Sequence, residues 1–259
     1  MTLCIIWRGK DTIHMASDSR ISLSENSYTD VAIKTLCVPC RIHWPEEGHK
    51  RGEELFDLGL SVSGSHINSF VIKETLSEVF RNMQIAPGYS EVSMDKITKI
   101  FFVAYENLSK KICETALARK GIAEIHLAGF CWKEERYKVF KFSTDESNNT
   151  HKYEEVLTET SFSASGTGKA RALELLENGG APIKVLRDVI ESTDIESVGG
   201  PLQYARFECK KFKVFANCKL EEGNVVYERG GLNLNDSRLH NSHDDIFVSM
   251  PMIDFVTQT

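Results

Sequence analysis

The second residue of the chain is threonine, and the run Thr2 to Trp7 is β-prone. With Met1 removed, Thr2 carries a hydroxyl and a free α-amine on one residue at a rigid strand edge. Such a residue is a nucleophile with its own base. An α-amine has a reference pKa of about 7.7 to 8.0, so a modest shift leaves it neutral and able to take the hydroxyl proton. A retained Met1 would hold that amine as an amide. Many chains begin Met-Thr, so the signal gains weight only from partner residues at suitable spacing. Asp18, in the run Ala16-Ser17-Asp18-Ser19-Arg20, and Lys34 supply an acid and a cation. A cation there would lower the effective pKa of a neighbouring hydroxyl or amine, and Asp18 would orient and balance it. The plainer alternatives are a turn with a surface ion pair at Asp18 and Arg20 and a solvated strand end at Lys34.

In these residues the sequence resembles the proteasome β-subunit family of N-terminal-nucleophile threonine peptidases, including its bacterial HslV-type and Anbu-type members. In that family a mature amino-terminal Thr is followed by an Ala-Asp-Ser-Arg-like segment and then a lysine, and Thr2, Asp18 and Lys34 match those places without a gap. Val62-Ser63-Gly64-Ser65-His66-Ile67-Asn68-Ser69-Phe70 looks like the family's strand-to-helix segment. The resemblance implies that the Gly64 N–H faces the oxyanion, and that Val62, Ile21 and Gly64 belong to the substrate-binding surface. Asn68 stands where an acid is common, a change expected to alter a structural contact more than the chemistry.

Ser165-Gly166-Thr167-Gly168 resembles the Gly-Ser-Gly turn beside the nucleophile, with Thr167 in place of serine. The segment from Asp194 to Gly200 resembles the one that supports the amino-terminal residue, with Val198 inserted as in Anbu-like forms, which makes Asp194 and Ser197 accessory candidates. The match runs from Thr2 to about Arg206. It implies an α+β fold, the four-layer αββα sandwich, acting on peptide or unfolded-protein substrate through an acyl-enzyme. It further implies homo-oligomeric rings or related assemblies with inward-facing sites. The chain has no ATPase motif, so any substrate unfolding would fall to a separate ATPase partner.

The elements needed to position these residues are legible as patterns. Thr2 to Trp7 and Thr12 to Ser17 flank a polar turn of hairpin type, Lys34 to Val38 reads as a third strand, and Leu58 to Ser63 as a fourth. Ile67, Phe70, Val71, Leu76, Val79, Phe80 and Met83 follow helical spacing, as do Ile97 to Ile112 after a Ser93 or Asp95 start. Strands at Ile122–Trp132, Tyr137–Ser143 and Thr160–Ser165, helices at Lys169–Glu177 and Ala181–Glu191, and strands from Leu202 to Arg229 complete the order. Helices on the outer faces of two mainly antiparallel sheets fit it. The expectation is a single domain over 1–259, with an irregular exposed insertion at 39–54, a variable segment from about 207, and a polar loop from Asn233 to Asp245.

Composition excludes other classes. A net charge of −6 with no basic stripe argues against nucleic acid and anionic membrane. No apolar run approaches a membrane span, and seven cysteines without a secretory signal point to reduced thiols and a cytoplasmic protein. No cofactor or metal is expected. Gly166-Thr167-Gly168-Lys169 is not a phosphate loop, because Ser163 takes the first-glycine place and Ala170 the Ser/Thr place. Cys37-Val38-Pro39-Cys40 lacks a second ligand pair for zinc, and His240, His243, Asp244 and Asp245 read as solvated loop groups. Two readings compete with the peptidase: a catalytically inactive scaffold or binding subunit, and an amidohydrolase acting on a non-peptide amide.

Overall fold

Strand β1 (Leu3–Arg8) is apolar and fully buried from Leu3 to Ile6, so it must be covered on both faces. A computed structural model, describing residues 2–24, 27–44, 52–86, 91–145, 150–192, 194–221, 223–239 and 248–252, accounts for this with four layers. β1 pairs antiparallel with β2 (Ile13–Ser17), and a small hairpin follows, β3 (Ile21–Ser24) with β4 (Ser27–Thr29). β5 (Thr35–Trp44) pairs antiparallel with β6 (Gly52–Gly64) in continuous register from Thr35↔Ser61 to Trp44↔Gly52. The irregular stretch expected at 39–54 is therefore corrected: residues 39–44 and 52–54 are strand, and 45–51 lie outside the described residues. Cys40 and Ile42 are buried while Pro39 and Arg41 are exposed, the alternation of a one-sided strand. Pro39 is tolerated because β5 has a second neighbour, β7 (Met83–Gln84), only at Ile42 and His43.

After β6 come α1 (His66–Val79) and, beyond β7, α2 (Met94–Ile112). Then follow β8 (Ala123–Cys131), β9 (Arg136–Asp145), β10 (Thr150–Val156), β11 (Phe162–Gly166), α3 (Lys169–Glu177), α4 (Pro182–Glu191), β12 (Gln203–Glu208) and β13 (Lys211–Val214). β14 (Asn217–Glu221), β15 (Asn224–Arg229) and β16 (Leu232–Asn233) form a small separate sheet. The loop expected from Asn233 thus begins in strand and includes a helical turn at Ser237–Leu239, and residues 240–245 are outside the described set.

One sheet has the order β11-β1-β2-β12-β13 and the other β10-β9-β8-β6-β5-β7. α1 and α2 cover the second, with Ile72, Leu76, Ile97, Phe101 and Tyr105 against Leu58, Leu60, Val62 and Phe142. α3 and α4 cover the first, where Leu3 and Ile5 meet Ala172, Leu176, Val185 and Leu186. Between the sheets lie Cys4, Ile6, Ile13 and Met15 with Ala128, Val139 and Phe207. The two parities of β1 thus serve two cores. The α+β αββα sandwich is as expected, but the buried face of α1 is not. Ile67 and Phe70 are 59% exposed and Val79 also faces out, while Asn68 and Ser69 are buried. No helix among the described residues is long and apolar enough to cross a membrane.

His126 on β8 is fully buried and shares a 3.1 Å hydrogen bond between its Nε2 and Ser163 Oγ on β11. Burial, with help from the Lys141 and Lys169 charges, lowers its pKa to about 3. In the unfolded chain it would titrate near 6.5, so the unfolded state gains a proton first as pH falls. Stability from this group is complete above pH 6.5 and lost progressively towards pH 3. We expect urea midpoints to drop between pH 6.5 and 4, and His126→Gln to flatten that drop.

Candidate active site

Thr2 is 2% exposed and sits where β1 begins, alongside the end of β11. Leu3 pairs with Gly166, which brings the turn Gly166–Gly168 against Thr2. Gly166 has φ +91°, and a Cβ there would collide with the Thr2 carbonyl oxygen, so only glycine fits. The Thr2 backbone nitrogen donates to Thr167 Oγ1 at 3.2 Å, and Thr167 Oγ1 shares a 2.9 Å hydrogen bond with Ser197 Oγ. Two hydroxyls are thereby strung from the nitrogen that would become the free amine.

Asp18 follows β2 and is wholly buried. Its Oδ1 accepts from Leu3 N at 3.0 Å and from Lys34 Nζ at 2.8 Å, and its Oδ2 accepts from Arg20 N and Gly199 N, both at 3.1 Å. Lys34 is held at the head of β5, where its backbone N donates to Gln203 Oε1 at 3.0 Å and its Nζ donates to the Arg20 carbonyl. Arg20 forms a two-pronged pair with Asp30, at 2.9 and 3.0 Å, and donates to the Glu196 carbonyl at 3.1 Å. The plainer alternatives, a surface ion pair of Asp18 with Arg20 and a solvated Lys34, do not occur, and Asp18 and Lys34 form a buried pair.

Thr2, Lys34, Gly64, Val62 and Ile21 line one cleft, joined by His66 and Ser69. The free space in it is about 10 Å³, room for roughly one water. Gly64 has φ +84°, and a Cβ there would meet the Ile122 carbonyl at 2.6 Å, which explains glycine at the strand-to-helix turn. Asn68 makes the structural contact expected of it, donating Nδ2 to the Gly121 carbonyl at 2.7 Å and to Ser109 Oγ at 3.0 Å. His66 has its pKa lowered by burial and by the Lys34 charge, which favours the neutral ring.

Asp194 is the exception. It is exposed and bonded to no described residue, so the segment supports Thr2 through Ser197 and the Gly199 backbone instead. Gln203 carried no local signal, since it reaches the site from a distant part of the chain, whereas His66 lies in the run from Val62 to Phe70 without having been singled out there. Cys4, two residues after Thr2, donates to the Val62 carbonyl at 3.2 Å, and burial pushes its thiol up to about 12, leaving it no nucleophile at neutral pH. Cys37 and Cys40 lie on opposite faces of β5, one against the inter-sheet core and the other in the helix-facing core. Asp95, Cys131 and Glu134 could together hold a cation, but Lys138 Nζ already lies 2.8 Å from Asp95 and 2.7 Å from Glu134. His240, His243, Asp244 and Asp245 lie outside the described residues.

Solved structures resemble this fold. An Anbu (Gly-1) mutant from Hyphomicrobium sp. strain MC1 superposes with a TM-score of 0.59 at 14% identity, over 93% of this chain and 91% of that one. Anbu, the ancestral beta-subunit, from Yersinia bercovieri gives 0.57 at 14% identity, over 82% and 86%. The helical assembly of the Anbu complex from Pseudomonas aeruginosa gives 0.59 at 14%, over 86% and 88%. The chain has a proteasome-like αββα fold. No family model and no curated protein matches the sequence.

In this proteasome-like fold, Gly166 sets how closely the Thr167 turn approaches Thr2. We expect Gly166→Ala to force that turn away, with a loss of at least 1–2 kcal/mol from the left-handed backbone alone. Thermal unfolding should register the loss.

Proposed function

We propose that the chain is a threonine-type endopeptidase. The observation that carries this reading is that Thr2 and Lys34 line one cleft, with the Thr167–Ser197 hydroxyl pair bonded to the Thr2 nitrogen and the buried Asp18 paired with Lys34. With Met1 removed, the Thr2 hydroxyl proton passes to the neutral α-amine, directly, through a water or through Ser197 by way of Thr167, as the hydroxyl oxygen bonds to the substrate carbonyl carbon. The Gly64 N–H receives the oxyanion. The Thr2 ammonium gives its proton to the departing amine as the C–N bond breaks, and water then cleaves the ester, returning the hydroxyl. Lys34 holds the field around Thr2 positive, and Asp18 keeps that buried cation balanced.

Self-association belongs to the same proposal. Ile67 and Val79 of α1 and Ile100 and Val103 of α2 leave apolar surface exposed on one outer helical layer, which suits contact with another copy. Peptide or unfolded protein is the substrate class, and any ATPase partner would act on it before the site does. An inactive scaffold of the same fold is the second reading, favoured by the displaced Asp194.

Intact mass before and after exposure to an α′,β′-epoxyketone peptide separates the two. The peptidase reading expects loss of Met1 and a single adduct that Thr2→Ala lacks. A retained Met1 with no adduct would favour the scaffold.

A further inference from the structure

A second groove opens from the cleft, sharing Val62, His66 and Ser69 with it and offering about 540 Å³. Ile33, Leu36 and Phe70 make its walls apolar, and Arg229 of β15 closes one side. Arg229 is half-buried, and its side-chain hydrogen bonds run to neutral acceptors: Nη2 donates to the Thr35 carbonyl and Nη1, at 3.5 Å, to Gln203 Oε1. Among the described residues no carboxylate lies within ion-pair distance of it. Burial draws its pKa down to about 10. A partly desolvated cation without an anion is costly, and the cost is offset when a ligand supplies the charge. Among the described residues the one acid lining the groove, Glu74, is engaged by Lys73 Nζ at 2.5 Å.

We propose that Arg229 is a specificity determinant, binding an acidic side chain of the substrate at the residue before the cut. The proposal rests on the peptidase reading, because that reading seats the substrate main chain beside Val62 and Gly64. From there a side chain entering the groove runs along apolar walls to a guanidinium with unused N–H groups, an arrangement suited to the methylenes and carboxylate of glutamate. A chain that continues past the cut delivers its charge through a side chain rather than through a terminal carboxylate.

The test compares amidated peptides that differ only in Glu, Gln or Leu before the cut, together with the Leu peptide carrying a free C-terminal carboxylate. We expect kcat/KM at least tenfold higher for Glu than for Gln, with Arg229→Leu and Arg229→Gln erasing the difference and Arg229→Lys keeping part of it. Both neutral variants should still form the epoxyketone adduct with a leucine peptide, which checks that they fold. Equal rates for Glu and Gln, a preference that survives Arg229→Gln, or a preference only for the free C-terminus would each overturn the proposal. Fluorescence anisotropy of the same peptides on Thr2→Ala reads the groove without cleavage. An Arg229-dependent preference there, with no turnover in the unsubstituted chain, would sink the peptidase reading and leave the groove assignment standing.

Discussion

A carboxylate and an ammonium buried together, Asp18 and Lys34, form the constraint on which the site depends. Their side chains are 0% and 3% exposed and 2.8 Å apart. Such a pair holds only if every remaining lone pair and proton is used, because desolvation alone would cost several kcal/mol per ion. Here the Asp18 carboxylate accepts from Leu3, Arg20, Gly199 and Lys34. Satisfying one buried charge therefore ties the start of β1, the turn after β2, the head of β5 and the loop before β12 to a single point. Thr2 is the residue those four segments surround.

The sandwich makes that point rigid. β1 puts Leu3 and Ile5 into the core beneath α3 and α4 and Cys4 and Ile6 between the sheets, so neither face of the strand can shift without opening a core. Gly166 lets β11 approach until Thr167 reaches the Thr2 nitrogen. Packing holds the strand, and the ion pair and the glycine turn fix its first residue, while the hairpin of β3 and β4 leads into Asp30, which holds Arg20 against the Glu196 loop.

Much of this was legible in the chain because the chemistry sits in short runs at fixed spacing. The strand pairs and helix pairs lie where the patterns suggested, and they bring Thr2, Asp18, Lys34, Gly64, Thr167 and Ser197 near one another. Asp194 shared the run of Ser197 but turns outward, since a loop can keep one contact and drop another. The buried face of α1 was misread because Asn68 and Ser69 are buried by hydrogen bonding, to Gly121 and Ser109 for one and to the Ser65 carbonyl for the other, while the larger Ile67 and Phe70 stay outside. The strand through Pro39 was hidden by residues that look like loop but sit on an exposed edge. Gln203 and Arg229 were invisible, because what they touch at Lys34 and Thr35 is set by the fold and not by any local pattern.

The measurement that bears most directly on this account is a double-mutant cycle of Asp18→Asn and Lys34→Met, read as unfolding free energy and as the rate of adduct formation at Thr2. If the buried pair is the point on which the site hangs, each single change costs about 3–5 kcal/mol and the double change costs little more than the worse single one. Reaction at Thr2 should be lost in all three. Losses that simply add, or a Thr2 that reacts normally without the pair, would contradict it.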